Sequence, residues 1–315
     1  MEYRPLGKTG LYVSRLCFGT LTIGPLQKNL SVSEGAGVIR RAVDAGVNFI
    51  DTAELYGTYA HIREGIKGAE DRVVIASRSY AHTAREMRKS LELALVSLKR
   101  EWIDIFLLHE QESIFTIRGH WEAVEYLVKA KENGLVRAIG ISTHSIEGVR
   151  AAALVPEFDI IQLIVNVAGI GIRGGGREDM VAAIREAFCL GKGLYGMKVL
   201  GGGHLLNRAE EALRFALAIE ELASLAVGMA TGAEVEHNVA FFEGRPIPEE
   251  LRRAVAQNKR TLVVEDWCTG CGRCVERCTA RALFLAEGKA RVEHSLCRLC
   301  GYCGSVCPEF ALKIV

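Results

Sequence analysis

Long apolar runs and an excess of charge of one sign are both lacking in this 315-residue sequence. No apolar stretch approaches the roughly 20 residues that a membrane-spanning helix needs. The chain has 39 lysines and arginines against 38 acidic residues, which leaves a formal net charge of +1. Neither nucleic acid nor a membrane is therefore expected as a partner. The N-terminus MEYRPLGKTG carries charges and glycines where a secretory signal is apolar, so we expect a cytoplasmic protein.

Cysteine is scarce through most of the chain. Only Cys17 and Cys189 lie in the first 267 residues, and the other eight crowd into the last fifty. This change in composition predicts a domain boundary, with one domain over residues 1–258 and a second over 259–315. Disulfides would suit a small secreted chain, whereas these cysteines have the spacing of metal ligands.

The first domain has the pattern of a βα repeat. Between residues 14 and 231, strand-like and helical patterns alternate with a period of about thirty residues. The strand-like runs are SRLCFGT, VNFID, VVIASR, IDIFLLH, VRAIGIS, IIQLIVN, LYGMKVL and LASLAVGM. Eight such units predict a (β/α)8 TIM barrel. A doubly wound open sheet is the alternative, but no G-x-G-x-x-G follows the first run and the repeat count is high for that class.

The second domain contains the cysteine spacing C-x2-C-x2-C-x3-C twice, in WCTGCGRCVERC and in LCRLCGYCGSVCP. This spacing predicts two [4Fe-4S] clusters, in which the fourth cysteine of each motif binds the other cluster. The predicted ligands are Cys268, Cys271, Cys274 and Cys307 for one cluster, and Cys297, Cys300, Cys303 and Cys278 for the other. Zinc is the alternative, although zinc would not need the third and fourth cysteines at these spacings twice over.

Four glycines beside these cysteines are expected to let backbone amides approach the cluster sulfurs. They are Gly270, Gly272, Gly301 and Gly304. Residues 266–315 resemble bacterial two-cluster ferredoxins, including Pro308 after the last ligand, although Thr279 stands where that family usually has proline. The resemblance implies a small α+β domain that transfers electrons.

Polar side chains close successive strands of the predicted barrel. Asp51 ends the second strand and leads to Tyr56, Arg78 ends the third, and His109 ends the fourth. Because active sites of TIM barrels lie where the strands end, we expect these side chains to converge. The phenol would donate a proton to a carbonyl, the cation would lower the pKa of the phenol, the carboxylate would hold the cation, and the imidazole would orient the substrate oxygen. Each of these residues alone also has an ordinary structural explanation.

The segments MEYRPLGKTGLYVSRLCFGT, DTAELYG, FLLHE, IGIS and VEHN resemble an aldo-keto reductase over roughly residues 1–243. By that resemblance Tyr56 is the general acid, Asp51 and a basic residue tune it, and His109 shapes the carbonyl pocket. Arg78 replaces the catalytic lysine of the family, and it stays charged but does not readily share a proton. The resemblance also implies a nicotinamide cofactor, NAD(H) or NADP(H), lying across the barrel mouth.

The same resemblance assigns residues to the nicotinamide end of that cofactor. Ser142 and Gln162 match positions that hold the carboxamide, and Thr143 stands where asparagine is common. Met197 replaces the aromatic residue that stacks on the nicotinamide ring, so this platform is softer.

Three further positions concern the adenine end and the pyrophosphate. Asn238 matches the asparagine that meets adenine, and Glu234 replaces the arginine that grips a 2′-phosphate. A carboxylate there would repel phosphate, which predicts a weak preference for NADH over NADPH. Gly201, in the triglycine Gly201–Gly203, would either let the backbone approach the pyrophosphate or form an ordinary turn.

Two functions are consistent with these features. The first is a nicotinamide-dependent reduction of a small-molecule carbonyl, or oxidation of an alcohol, with an iron-sulfur domain that exchanges electrons with a redox partner protein. The alternative is an electron-transfer or redox-sensing protein whose barrel binds nicotinamide but has little carbonyl reductase activity, as Arg78 and Met197 suggest. A hydride carries two electrons whereas each cluster passes one, and no flavin motif is evident.

Overall fold

The computed structural model describes all of residues 1–315. The strands, in chain order, are β1 Tyr3–Pro5, β2 Tyr12–Ser14, β3 Leu16–Gly19, β4 Phe49–Asp51, β5 Val74–Ser79, β6 Ile103–Leu108, β7 Val136–Thr143, β8 Ile160–Ile164, β9 Gly193–Met197, β10 Ser224–Gly228, β11 Leu262–Val264, β12 Leu283–Ala286, β13 Lys289–Val292 and β14 Leu312–Ile314. The helices are α1 Val32–Asp44, α2 Tyr59–Gly65, α3 Ala84–Leu98, α4 Ile114–Gly119, α5 Trp121–Glu132, α6 Ile146–Ala153, α7 Arg177–Cys189, α8 Ala209–Leu217, α9 Gly232–Phe242, α10 Glu249–Ala256 and α11 Arg273–Arg277. None of the helices is both long and apolar enough to cross a membrane.

Strands β3 to β10 form a closed parallel barrel in chain order, and β10 pairs with β3 to complete it. Each of the eight predicted strand runs overlaps one of these strands, so the predicted (β/α)8 fold is confirmed. Strands β5 and β6 are buried at all six of their positions. Parallel strands that are covered on both faces read as continuous apolar runs, which is why the sequence pattern identified them.

The N-terminal end of the barrel is closed by the antiparallel hairpin of β1 and β2. Its apolar residues Leu6, Leu11 and Val13 are buried against Phe49 and Tyr195 inside the barrel. Gly7 makes this contact possible, because a Cβ at this position would lie 2.5 Å from the Gly193 backbone nitrogen. The opposite end of the barrel, where the strands finish, carries the polar residues.

The C-terminal module, residues 259–315, contains two small antiparallel sheets, β11 with β14 and β12 with β13. Its core combines the aliphatic residues Leu262, Leu283 and Leu312 with two buried cysteines, Cys274 and Cys303. So small a core holds little apolar area, and domains of this size usually need disulfides or metal for stability. The boundary after residue 258 stays a prediction, although α10 ends at Ala256 and β11 begins at Leu262.

The module docks on the C-terminal mouth of the barrel through glycines on both sides of the contact. At each of them an added Cβ would lie within 3.0 Å of an atom from the other domain. Gly171, Gly202 and Gly203 of the barrel face the module, and Gly301 and Gly304 of the module face His204 of the barrel. The two domains therefore approach each other at backbone distance.

Phe310 is the apolar anchor of this contact. It is 4% exposed and belongs to the main hydrophobic core of the barrel, although it lies five residues from the end of the chain. His204 reinforces the contact, since its Nε2 donates to the carbonyl of Leu312 in β14 at 2.8 Å. Arg173 adds an ion pair to Glu309 at 3.4 Å.

The triglycine Gly201–Gly203 forms a turn, one of the two structures expected from the sequence, and this turn also has a role in docking the module. All three residues have left-handed φ values, of 58°, 64° and 90°. A Cβ at Gly202 would lie 2.9 Å from the Phe310 ring, and one at Gly203 would lie 2.0 Å from the Ile314 carbonyl oxygen. The triglycine is thus a turn that lets the C-terminal strand of the module pack directly on the barrel.

Candidate active site and cysteine pockets

One guanidinium connects the four polar residues that the strand ends were predicted to bring together. Arg78, in β5, is 2% exposed. Its Nη1 donates to Asp51 Oδ1 at 2.7 Å and to the Thr52 carbonyl at 2.9 Å. Its Nη2 donates to the Tyr56 hydroxyl at 2.6 Å, and its Nε donates to His109 Nε2 at 3.2 Å. A lysine, with one nitrogen, would not reach these partners in one geometry.

Asp51 is held in place from three directions. Besides Arg78, its Oδ1 accepts from Gln162 Nε2 at 2.9 Å and from the Tyr195 hydroxyl at 3.0 Å. All of these groups are buried, so the carboxylate has lost its water and depends on these donors. A carboxylate whose Oδ1 accepts from three donors is fixed in place and orients the guanidinium.

Contrary to expectation, the pKa of Tyr56 is raised rather than lowered. Burial of the phenol is the largest cause and outweighs the attraction of the Arg78 guanidinium, so the pKa lies above its ordinary value of 10.0. Tyr56 therefore keeps its proton at neutral pH and is a donor in this arrangement. The charge of the cation alone would lower this pKa, but the cost of desolvating the phenolate acts in the opposite direction and is larger.

His109 also differs from the expectation that it orients the substrate oxygen. Arg78 has no acceptor atom, so His109 Nε2 must carry the lone pair and the ring proton lies on Nδ1. Nδ1 is buried without a hydrogen-bond partner. Burial and the Arg78 charge lower the pKa of His109 well below 6.5, so the ring is neutral. In this arrangement Nε2 is not free to donate to a substrate.

A cleft of about 320 Å³ opens beside these residues at the barrel mouth. Asp51, Tyr56 and Arg78 line its inner end. Its walls come from the loops after β3, β9 and β10, together with the connector residues 258–260 and the last two residues, Ile314 and Val315. The C-terminal module thus forms part of the wall of the cleft.

The eight clustered cysteines line two separate pockets. The first cysteine pocket is lined by Cys268, Cys271, Cys274 and Cys307, and the second by Cys278, Cys297, Cys300 and Cys303. These are the two ligand sets that the spacing predicts, including the exchange of the fourth cysteine. Backbone amides of Ala290 and Ala311 donate to the sulfurs of Cys268 and Cys307, at 3.4 and 3.3 Å.

The two cysteine pockets fit a cluster better than a single metal ion. No three histidine, cysteine or acidic side chains in the structure converge closely enough to hold one ion. Zinc requires four ligands at about 2.0 to 2.3 Å from one point, whereas an iron-sulfur cube spaces its thiolates more widely. Burial and the neighbouring thiols raise the pKa of Cys303 to about 12.

The glycines beside these cysteines make close contacts within the protein, and their approach to cluster sulfur stays a prediction. Gly301 and Gly304 lie against His204 of the barrel, and a Cβ at Gly270 would lie 2.2 Å from the carbonyl oxygen of Gly288. Gly272 has a left-handed φ of 79° where α11 begins. The amides that donate to cysteine sulfur belong to alanines: Ala282 and Ala311 each lie four residues past the cysteine they contact, and Ala290 lies in β13.

Comparison with known families agrees with both parts of this description. The sequence model of the Aldo/keto reductase family matches residues 15–214. This chain belongs to the aldo/keto reductase family. A second family model, the 4Fe-4S binding domain, matches residues 261–284, within the C-terminal module. Both resemblances identified from the sequence are confirmed.

Relatives of this aldo-keto reductase family member cover most of the barrel. L-galactose dehydrogenase of Arabidopsis thaliana is 23% identical over 289 residues, which covers 76% of this chain and 88% of that protein. Aldo-keto reductase YhdN of Bacillus subtilis is 29% identical over 184 residues, which covers 53% of this chain and 54% of that protein. The match thus spans about half the length of the second relative.

Solved structures share the barrel. A crystal structure from Pseudomonas aeruginosa, described as an aldo-keto reductase, is 27% identical with a TM-score of 0.66, and covers 77% of this chain and 95% of that one. The holo form of an aldo-keto reductase from Bacillus halodurans has a TM-score of 0.66 at 20% identity, covering 82% of this chain and 96% of that one. The second likeness shows the shared fold.

In this family member, the residues assigned to the nicotinamide carboxamide form hydrogen bonds within the protein. Ser142 Oγ accepts from the Glu110 amide at 2.9 Å, and Thr143 Oγ1 accepts from the Ser145 amide at 2.9 Å. Gln162 donates to Asp51, but its Oε1 is buried without a partner. That oxygen is free to accept a hydrogen bond from a carboxamide, and the Ser142 hydroxyl proton has no acceptor within the protein.

Of the residues assigned to the rest of the cofactor, some line the cleft and others do not. Met197 and Glu234 line the cleft, whereas Gly201 and Asn238 do not. Asn238 is 8% exposed on α9, where its Oδ1 lies 3.4 Å from His237 Nδ1. Its predicted contact with adenine would need this side chain to turn toward the cleft.

Glu234 is not the free carboxylate that the sequence argument assumed. Its Oε1 accepts from Asn258 Nδ2 at 2.9 Å and from Arg260 at 3.2 Å. Its Oε2 accepts from the Ala230 amide at 2.7 Å. The connector to the C-terminal module therefore compensates this charge, a contact that no local sequence pattern reveals.

Sequence reasoning missed a buried charge next to the cleft. Lys313, in β14, is 4% exposed, and its ammonium lies over the Phe310 ring and donates to the Phe310 carbonyl. Lys198 faces the same ring at 6.0 Å, lines the cleft, and has no salt bridge. The sequence does contain a sign of this buried lysine, because Lys313 stands within the apolar C-terminal run FALKIV. A lysine that is buried with such a run needs a polar partner.

Proposed function

We propose that this protein is a nicotinamide-dependent oxidoreductase that reduces a carbonyl, or oxidises an alcohol, at Tyr56. One observation carries the proposal: the Tyr56 hydroxyl borders the cleft and accepts a hydrogen bond from Arg78 at 2.6 Å. A hydroxyl that accepts from a guanidinium keeps its own proton for a third group. The cleft is where that third group would lie, so Tyr56 is placed to donate to a carbonyl oxygen.

The remaining residues would manage the charge that forms. When Tyr56 gives up its proton, the Arg78 guanidinium stabilises the phenolate through the hydrogen bond already present. Bound reduced nicotinamide would supply the hydride. Arg78 does not release a proton at accessible pH, so Tyr56 must regain its proton from water in the cleft.

The cleft has groups that fit a dinucleotide. Lys198 lines it without a salt bridge, and Lys28, Lys259 and Arg260 line its far end. Cations in a groove suit phosphate groups, and Arg in particular binds them in a fork geometry. Near Tyr56, Met197 offers an apolar surface, and its thioether packs favourably on aromatic rings.

The preference for NADH over NADPH stays a prediction, and its premise is weaker than the sequence suggested. Glu234 is paired with Arg260, so its carboxylate would repel a 2′-phosphate less than a free one. Fluorescence titration with both cofactors checks the preference, and clearly tighter binding of NADPH would refute it. The variant Arg260→Ala, which frees Glu234, should shift the ratio of dissociation constants further toward NADH.

We further propose that the C-terminal module holds two [4Fe-4S] clusters on the two cysteine pockets. The separate sets of four cysteines and the amide-to-sulfur hydrogen bonds support two sites rather than one. Such clusters would supply one-electron chemistry. Two clusters would contain about eight iron atoms per chain. Anaerobic purification followed by iron analysis and ultraviolet-visible absorption measures this content.

The experiment that tests the catalytic proposal is the substitution Tyr56→Phe. With a panel of aldehydes, kcat should fall at least about 10²-fold, while the dissociation constant of the nicotinamide cofactor changes little. Tyr80→Phe is a matched control, because Tyr80 stacks on His109 at 4.2 Å but donates to Glu110 and not to the cleft. Aldehyde reduction that survives Tyr56→Phe would disprove the role of Tyr56.

The second candidate, an electron-transfer or redox-sensing protein, has one observation in its favour. His109 is tied to Arg78, so one of the four groups expected to act on a substrate is occupied. This candidate predicts binding of nicotinamide, measured by fluorescence, without turnover of any carbonyl by the cluster-loaded protein. Turnover that depends on Tyr56 excludes it.

A further inference from the structure

The outer face of the second cysteine pocket is open to solvent. Cys300 is exposed there, and Leu299 and Tyr302, which line the same pocket, are 36% and 56% exposed. Leu296 nearby in sequence is 50% exposed. Apolar and aromatic side chains beside a ligand pocket are a surface that monomeric proteins normally cover.

Most arginines of the C-terminal module are unpaired, and two of them line the pocket at this face. Beyond the connector residue Arg260, the C-terminal module has five arginines, and only Arg291 forms a salt bridge, with Glu287. The other four are exposed and form none; they are Arg273, Arg277, Arg281 and Arg298. Arg277 and Arg298 line the second cysteine pocket, and the Arg277 guanidinium lies 5.3 Å from the centre of the Tyr302 ring.

The placement of these charges works against the stability of the module. Arg273 and Arg277 lie four residues apart on α11, where like charges face each other and repel. The barrel, in contrast, pairs many of its exposed arginines with carboxylates, such as Arg41 with Glu236 and Arg150 with Glu186. A bound cluster with its thiolates would offset part of the charge of Arg277 and Arg298, which line its pocket, and an acidic partner would offset the remaining positive charge.

We propose that this arginine face, defined by Arg277, Arg281, Arg298, Leu299 and Tyr302, docks an acidic one-electron carrier protein. A redox partner fits better than nucleic acid because the face is centred on a cysteine pocket, and its core is aromatic and aliphatic with arginine at the rim. Complementary charge would speed the encounter and orient the carrier over the pocket. One electron is exchanged per encounter: the module loses the electron that the carrier gains, or the reverse. The proposal rests on the assignment of two clusters.

The test measures electron exchange between the cluster-loaded full-length protein and an acidic flavodoxin. Protein reduced with dithionite and freed of excess reductant is mixed anaerobically in a stopped-flow instrument, and flavin semiquinone formation gives the second-order rate constant. The charge-reversal variant is Arg277→Glu with Arg298→Glu. The matched control is Arg85→Glu with Arg118→Glu, two exposed barrel arginines without salt bridges. Basic cytochrome c serves as a second carrier.

The wild-type rate constant with flavodoxin should fall as salt increases from about 20 to 500 mM. At low salt the charge-reversal variant should be at least about tenfold slower, and the difference should vanish at high salt. A changed cluster potential would instead slow exchange at every salt concentration. The control variant should match the wild type, and cytochrome c should react faster with the charge-reversal variant than with the wild type.

Three outcomes would overturn the proposal. They are an unchanged rate in the charge-reversal variant, an equal loss in the control variant, and the absence of exchange with either carrier although the protein contains iron. Salt-dependent binding of a DNA oligonucleotide through Arg277 and Arg298, without electron exchange, would also overturn it. A purified protein that contains no iron would instead disprove the assignment of the clusters. Iron analysis therefore distinguishes a failure of the cluster assignment from a failure of the docking proposal.

Discussion

The Nη2 atom of Arg78 lies 2.6 Å from the Tyr56 hydroxyl oxygen, the shortest of the four hydrogen bonds that this guanidinium donates. The same planar group also fixes Asp51 and His109, so one rigid fork sets the positions of all three partners. The guanidinium therefore contributes a charge to this site that stays fixed across the accessible pH range.

Replacing Arg78 with lysine should make the rate depend on pH. In the wild type, burial keeps the pKa of Tyr56 above 10.0 and that of His109 well below 6.5. The rate of carbonyl reduction should therefore be flat from about pH 6.5 to 9.5. In Arg78→Lys the ammonium loses its proton as the pH rises, so kcat should fall at high pH. Measuring kcat over a series of pH values checks this. The control Arg78→Gln should lower kcat at every pH, and identical profiles for lysine and arginine would contradict this account.

His144 should make the protein less stable in acid. Burial is the largest cause that lowers its pKa from 6.5 to about 4. The unfolded chain therefore binds this proton first as pH falls, and stability is lost from about pH 6.5 downward toward 4. Between pH 7 and 5 the loss is about 1 to 2 kcal/mol. Denaturant unfolding at both pH values should show a smaller loss in His144→Gln than in the wild type, whereas exposed His82→Gln should behave as the wild type.

Gly203→Ala should release the C-terminal module. The new Cβ would lie 2.0 Å from the Ile314 carbonyl oxygen, so β14 must move. Gly174→Ala is the matched control, because Gly174 has a similar φ of 82° but nothing within 4 Å of its added Cβ. Gly203→Ala should cost at least about 2 kcal/mol more than the control. It should also expose residues 244–260 to limited proteolysis, and equal effects of the two variants would argue against docking through this glycine.

Cys271→Ser should remove a ligand from the first cysteine pocket alone. Iron content should fall from about eight to about four atoms per chain if that cluster is lost and the second is retained. Cys189→Ser, an exposed cysteine on α7 outside both pockets, is the control and should keep the full content. Unchanged iron after Cys271→Ser, or stoichiometric zinc in place of iron, would contradict the assignment.

The sequence predicted the barrel and the grouping of the catalytic residues because both depend on local patterns. Buried parallel strands give continuous apolar runs, and the ends of neighbouring strands meet by topology. The bond from Arg78 to His109, the pairing of Glu234 with Arg260 and the docking of Phe310 were not predicted. Each of these joins segments far apart in the chain, and no pattern within one segment encodes such a contact.

The sequence-based prediction for the pKa of Tyr56 was wrong for a different reason. Its neighbours were identified correctly, yet the direction of the shift was wrong, because burial and charge act in opposite directions and only the structure shows which is larger. The triglycine is similar. Its flexibility was evident from the sequence, but its partner, β14, lies more than a hundred residues away.

The position of Phe310 links the maturation of the chain to its supply of iron. The ring lies between Gly171 and Gly202 and completes an apolar surface that includes Ile164. Phe310 lies three residues after Cys307, a predicted cluster ligand, so we expect cluster assembly to help bring the ring to that position. A chain synthesised while iron is scarce would leave the barrel mouth uncovered, with apolar surface available for aggregation. Yield in a heterologous host should therefore follow the capacity of that host to assemble clusters, even where only the chemistry of the barrel is of interest.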